Sequence, residues 1–119
     1  MSNLLRSQDG AKKYRKYRAT GVLERGCPLC SKIAVETFRH WKIVRNDFPY
    51  DLVAKEHDMI VPLRHVKEEG LTAHELKEYG VIKKDHLQKY DYIIEPHEDA
   101  KSISKHFHLH LIIGKKNIS

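Results

Sequence analysis

Residues 106–112 read His-Phe-His-Leu-His-Leu-Ile, three histidines separated by single apolar side chains. In an extended strand successive side chains point to opposite faces, so His106, His108 and His110 share one face with Ser104. Phe107, Leu109 and Leu111 fall on the other, ready to pack against a helix. Three imidazoles in a row are chemically useful, because imidazole titrates nearest neutrality and can act as nucleophile, acid, base or metal ligand. A second set of reactive atoms lies far upstream, in Cys27-Pro28-Leu29-Cys30, the chain's two cysteines. A disulfide is one use for them, though a reducing compartment keeps thiols free. The other is half of a tetrahedral zinc site, whose remaining ligands would come from among the nine histidines.

The elements that must position these groups are read from periodicity and turn signals. Residues 11–20 suit a short basic helix ahead of Gly21, and a knuckle follows at the cysteines. Residues 31–39 carry no clear period. Residues 41–44 suit a strand, closed by the turn-forming Asn46-Asp47-Phe48-Pro49. Two extended segments follow, 51–54 and 57–63, joined at the charged Lys55-Glu56, with Pro62 placed at an edge or strand end because it has no N–H to donate. Thr72-Ala73-His74-Glu75 has the form of a capping box, so a helix is predicted from Thr72 to about Lys89, with Leu76, Tyr79, Ile82, His86 or Leu87, and Tyr90 recurring at helical spacing. Strands over 92–94 and 104–113, separated by a polar loop over 95–101, complete the chain. The expected fold class is α+β: a mostly antiparallel sheet with one or two helices.

Composition narrows the function classes. The 119 residues fit one domain, and hydrophobic residues at 40% suffice for a core although charged residues reach 32%. No apolar stretch approaches the roughly 18 residues of a membrane span, and residues 1–10 lack the apolar centre of a secretory signal, so a cytoplasmic protein without membrane partners is expected. Residues 1–25 hold seven basic side chains against Asp9 and Glu24, which is +5 of the net charge of +6. Such a segment reads either as a solvated arm or as a surface for anionic partners: nucleotide phosphates, nucleic acid or an acidic protein.

The alternation of histidine and apolar residues over 106–112 resembles the signature of the histidine triad family of nucleotide hydrolases and transferases. Residues 57–65, His-Asp-Met-Ile-Val-Pro-Leu-Arg-His, resemble the family's earlier strand, and Cys27 and Cys30 at this distance ahead resemble its zinc-binding branch. The likeness covers roughly residues 27–113, dividing the chain into a basic arm, 1–25, and a histidine triad domain, 26–119. It implies that His108 is the nucleophile that forms a nucleotidyl-histidine intermediate, that His110 sits near the leaving group and phosphate oxygens, and that His57 supports them in the pocket. It also implies a structural zinc held by Cys27, Cys30, His65 and His106, an Asn46 contact to ribose or phosphate, and a homodimer paired along edge strands.

The chain departs from the family in residues 95–105, which contain no glycine and no glutamine where many members hold phosphate. Ser102 and Ser104, in phase with the histidines, are the substitutes expected to bind substrate. Only nine residues follow His110, fewer than the tail that borders the pocket in many relatives. The implied function is hydrolysis of a nucleoside phosphoramidate or dinucleoside polyphosphate. A zinc-stabilised nucleotide or nucleic-acid binding module with weak or no catalysis is the rival, and a nucleotidyl transferase is the third reading.

Overall fold

The computed structural model describes residues 5–97, 103 and 105–116. Its elements, in chain order, are α1 (Gln8–Ala19), α2 (Pro28–Ser31), β1 (Glu36–Thr37), β2 (Trp41–Arg45), β3 (Ala54–Pro62), a 3-10 turn (Glu68–Gly70), α3 (Ala73–His86), β4 (Tyr92–Ile94) and β5 (Leu109–Gly114). The strands form one sheet in the order β1-β2-β3-β5-β4, antiparallel at every pairing. This is the α+β architecture expected. None of the described helices is long and apolar enough to cross a membrane.

Strand alternation divides the core in two. Trp41, Ile43, Ile60, Phe107, Leu109 and Leu111 face α3 and bury against its Ile82 and the following Leu87 and Tyr90. Val44, Met59 and Val61 face the other way and receive Leu29 from α2. Met59 is opposite Val44 on one side and His110 on the other, so the histidines lie on the face away from α3. The predicted division between His106, His108, His110 and the intervening apolar residues therefore holds, although regular strand pairing begins only at Leu109 rather than at Ser104.

Residues 51–54 and 57–63 are not two segments. Residues 51–53 form a turn, and a single strand runs Ala54–Pro62, with a register shift between Ala54 and Glu56 absorbing the exposed Lys55-Glu56 pair. Pro62 is its last residue, where a missing N–H costs nothing.

The capping box at Thr72 is present: Thr72 Oγ1 accepts from Glu75 N–H, and Glu75 Oε1 accepts from Thr72 N–H. The buried position in that turn, however, belongs to Glu75, at 2% exposure, while Leu76 is 53% exposed. Arg64 compensates the buried carboxylate with a fork, Nε at 3.0 Å and Nη2 at 2.7 Å, and the carbonyl of Glu75 accepts from Trp41 Nε1 at 2.8 Å. The hydrogen bonds from Arg64 hold the Glu75 carboxyl well below its ordinary 4.5, at about 2. A carboxylate more acidic when folded contributes stability that is complete above its unfolded value and is lost as pH falls through its folded one. Glu75→Gln is therefore expected to lower the melting temperature at pH 7 and to flatten its decline between about pH 4.5 and pH 2. An unchanged acid limb in thermal melts of the variant would contradict this.

Candidate active site and metal centre

The two cysteines are placed by a single turn of helix. Pro28 opens α2 directly after Cys27, and Cys30 N–H donates to Cys27 C=O at 3.2 Å, so a three-residue spacing brings both sulfurs to one side. Leu29 between them is 1% exposed and plants the knuckle on the sheet. Lys42 Nζ, rising from β2, donates to the carbonyls of Cys30 and Lys32 at the far end.

His65 and His106 meet the sulfurs there. Cys27 Sγ is 3.4 Å from His106 Nδ1, and Cys30 Sγ is 3.2 Å from His65 Nδ1 and 3.5 Å from His106 Nδ1. All four donor atoms lie within 4.8 Å of one another. A tetrahedral ion with bonds of about 2.3 Å to sulfur and 2.0–2.1 Å to nitrogen would set S and N about 3.5 Å apart. His106, fully buried, has Nε2 2.9 Å from the carbonyl of Pro62, so Nε2 carries the hydrogen and Nδ1 presents its lone pair to the cluster. The cluster can hold a metal ion. Its four ligands would leave no open position, so the ion would tie α2, the end of β3 and the approach to β5 together without taking part in chemistry.

The second group of histidines lies further along the same face. His108 Nδ1 is 3.0 Å from the carbonyl of His106, which accepts its hydrogen and puts the lone pair, and with it the nucleophilicity, on Nε2. Neighbouring tautomers follow from one fixed donor. Tyr50 backbone N–H donates to His57 Nδ1 at 3.0 Å, so His57 carries its hydrogen on Nε2. That hydrogen goes to His110 Nδ1 at 2.8 Å, so His110 in turn carries its own on Nε2, 3.2 Å from the Tyr50 hydroxyl oxygen. Both imidazoles are neutral at pH 7. Burial, with the Arg6 charge and the neighbouring His108, pushes His57 down to about 3. Burial, with His108, His57 and Arg6, pushes His110 to about 2.

Asn46 lines the pocket in front of His108 and His110, but its Oδ1 is occupied by the Phe48 N–H at 2.8 Å, so it shapes the turn. Its Nδ2 is 3.3 Å from His57 Nε2, two donors facing each other in the tautomer above. Ser102 and Ser104 lie outside the described residues.

Residues of the basic segment also reach the pocket. α1 starts at Ser7, whose N–H and Oγ both bond the Asp51 carboxylate at 2.7 and 2.6 Å. Gly10 permits this approach, since a Cβ there would meet Asp51 Oδ2 at 2.9 Å. Tyr14 and Tyr17 pack on Phe48 with ring centroids 5.1 and 4.7 Å away. Arg6 is 9% exposed; its Nε donates to Phe48 C=O at 3.0 Å and its guanidinium lies over Tyr14 and Tyr50. Sequence pattern alone assigns Arg6 no role beyond net charge and assigns Tyr50 none. Their positions depend on contacts spanning more than 40 residues, which no local period carries.

A solved structure, that of a histidine triad protein from Clostridium difficile, matches this architecture with a TM-score of 0.54, over 78% of this chain and 93% of that one. The chain has the histidine triad fold. Sequence identity over the match is 20%, so the fold is what the likeness establishes. No family model and no curated protein matches the sequence.

Proposed function

We propose that the protein is a nucleotide hydrolase of the histidine triad type, cleaving a nucleoside phosphoramidate or dinucleoside polyphosphate. The observation that carries this reading is the His108 imidazole, its tautomer held by the His106 carbonyl, opening on a pocket shared with His110. The Nε2 lone pair attacks the α-phosphorus, and the bond to the leaving nitrogen or oxygen breaks as the P–N bond to His108 forms. The leaving group departs with its electron pair and takes up a proton. Water then attacks the same phosphorus, returning His108 and releasing the nucleoside monophosphate. His110 presents its Nε2–H, now satisfied by Tyr50, to the leaving group or a phosphate oxygen. His57 keeps His110 in that tautomer.

The ion we propose for the four-ligand cluster is zinc, for which two thiolates and two imidazoles are a common tetrahedral set. Incubation with a lysine–nucleoside phosphoramidate and with a diadenosine polyphosphate, wild type beside His108→Ala, tests the activity. Release of nucleoside monophosphate from neither substrate would return the protein to the binding-module reading.

A nucleic-acid partner has one observation in its favour: α1 presents Lys12, Lys13, Arg15 and Lys16 to solvent on the surface away from Tyr14. Glutamine at all four is expected to weaken binding to single-stranded RNA and to shallow the salt dependence by about 0.7 for each phosphate no longer neutralised. Equal affinity and equal salt slope would make this face a solvated one.

A further inference from the structure

The pocket in front of His108 must hold a phosphoryl group that carries negative charge in the substrate and redistributes it during displacement. Two of the described residues lining it, Arg6 and Lys32, carry a permanent positive charge. Lys32 Nζ is 2.6 Å from the Asp47 carboxylate, so its charge is already met. His57 and His110 are neutral, and their field on an anion is that of dipoles rather than cations.

Arg6 is different. It is nearly buried and in no ion pair with a described carboxylate; its Nε bonds the Phe48 carbonyl and its guanidinium meets two aromatic faces, with centroids 4.5 Å away for Tyr14 and 5.0 Å for Tyr50. These contacts fix the plane of the guanidinium through Nε and leave the Nη edge, a pre-oriented fork of donors suited to two phosphate oxygens. Tyr50, over which the guanidinium lies, packs on both histidines, with ring centroids 4.6 Å from His57 and 4.8 Å from His110, so Arg6 sits beside them.

We propose that Arg6 is the phosphate-binding residue of this pocket, its guanidinium held against Tyr14 and Tyr50 and turned to the phosphoryl group that His108 attacks. The assignment rests on the nucleotide reading above and adds a specific anion-holding residue to it. Arg6 then serves chemistry twice. It neutralises the ground-state phosphate, and it meets the charge that develops on the equatorial oxygens as the P–N bond forms and the leaving-group bond breaks. The docked α1, tied down by Ser7 and Asp51, acts as the wall that keeps it there.

Calorimetric titration of the full-length protein with adenosine 5′-monophosphate and with adenosine separates phosphate recognition from the shape of the pocket. Arg6→Gln is expected to weaken the monophosphate by about 10- to 100-fold while changing adenosine by less than about twofold. Arg6→Lys, which keeps the charge and loses the fork, is expected to fall between, and it supplies the comparison if the glutamine variant does not fold. Unchanged monophosphate affinity, or equal loss of both ligands, overturns the assignment. If His108 still forms its adduct at the wild-type rate in Arg6→Gln, the assignment of Arg6 fails alone. If the wild type neither prefers the monophosphate over adenosine nor forms an adduct, the nucleotide reading fails with it.

Discussion

Replacing His108 by alanine is expected to abolish the nucleotidyl adduct and to lower turnover by on the order of 10⁴-fold, about 5.5 kcal/mol of transition-state stabilisation. The size follows from the two-step route. Without Nε2 there is no covalent intermediate, and water must attack phosphorus directly in a pocket arranged for a nitrogen nucleophile. Substrate affinity is expected to change little, since His110, Tyr50 and the aromatic wall remain, so the loss falls on kcat rather than KM. Mass spectrometry of quenched wild-type reactions is expected to place the nucleotidyl group on the peptide containing His108, as an acid-labile, base-stable phosphorus–nitrogen bond. Near-wild-type turnover in His108→Ala, or an adduct on another residue, would exclude the mechanism.

The four-residue cluster proposed to hold zinc carries the second large effect. Protein purified without chelator is expected to hold one zinc per chain, and Cys27→Ala to lose it. Structural zinc contributes on the order of 10 kcal/mol to small metal-dependent domains. Here a two-sided core exists besides the metal, so a partial loss is expected: about 2–3 kcal/mol, or a fall in melting temperature of roughly 10–20 °C. The reason is geometric. The ligands come from segments that regular sheet pairing does not hold: the knuckle at α2, residue 65 beyond the end of β3, and residue 106 ahead of β5. Without the ion, what joins them among the described residues is Leu29 packing, the Lys42 bonds to Cys30 and Lys32, the His106–Pro62 hydrogen bond and the contact of the His65 and His106 rings. Zinc content well under one per chain, or an identical melting temperature for Cys27→Ala, would remove the assignment.

What is legible in the sequence is what is local. The alternation around His108 has a period of two and identifies the two strand faces wherever the strand begins. The capping box at Thr72 is a four-residue device, and it is present as predicted. Leu76 goes the other way: hydrophobicity alone assigns it to the buried face, whereas a carboxylate occupies the interior with Arg64 brought to it from beyond β3's far end. Lys55-Glu56 suggests a break because charged pairs usually mark turns; a bulge lets both side chains reach solvent without ending the strand. The cluster of Cys27, Cys30, His65 and His106 spans 79 positions and has no periodic trace. The spacing of Cys27 and Cys30 points to half of it, and family resemblance supplies His65 and His106. Arg6 and Tyr50 have neither kind of signal.

The sheet order has a bearing on how the chain comes to be folded at all. β5, synthesised after both of the strands it pairs with, is interior to the sheet, with β3 on one side and β4 on the other. A nascent chain that has emerged only as far as residue 105 can form the β1-β2-β3 meander and α3, but β4 has no neighbour to pair with. Phe107, Leu109 and Leu111 are also missing from the core against which α3 packs. The closing step joins strands 47 positions apart, since Pro62 and Leu109 bound the gap, and such long closures are slow because their entropy is spent before any contact repays it. Until then the free edge of β3 is open to pairing with another chain. β5 therefore decides not only where the histidines sit but when the open edge of β3 is closed to neighbouring chains.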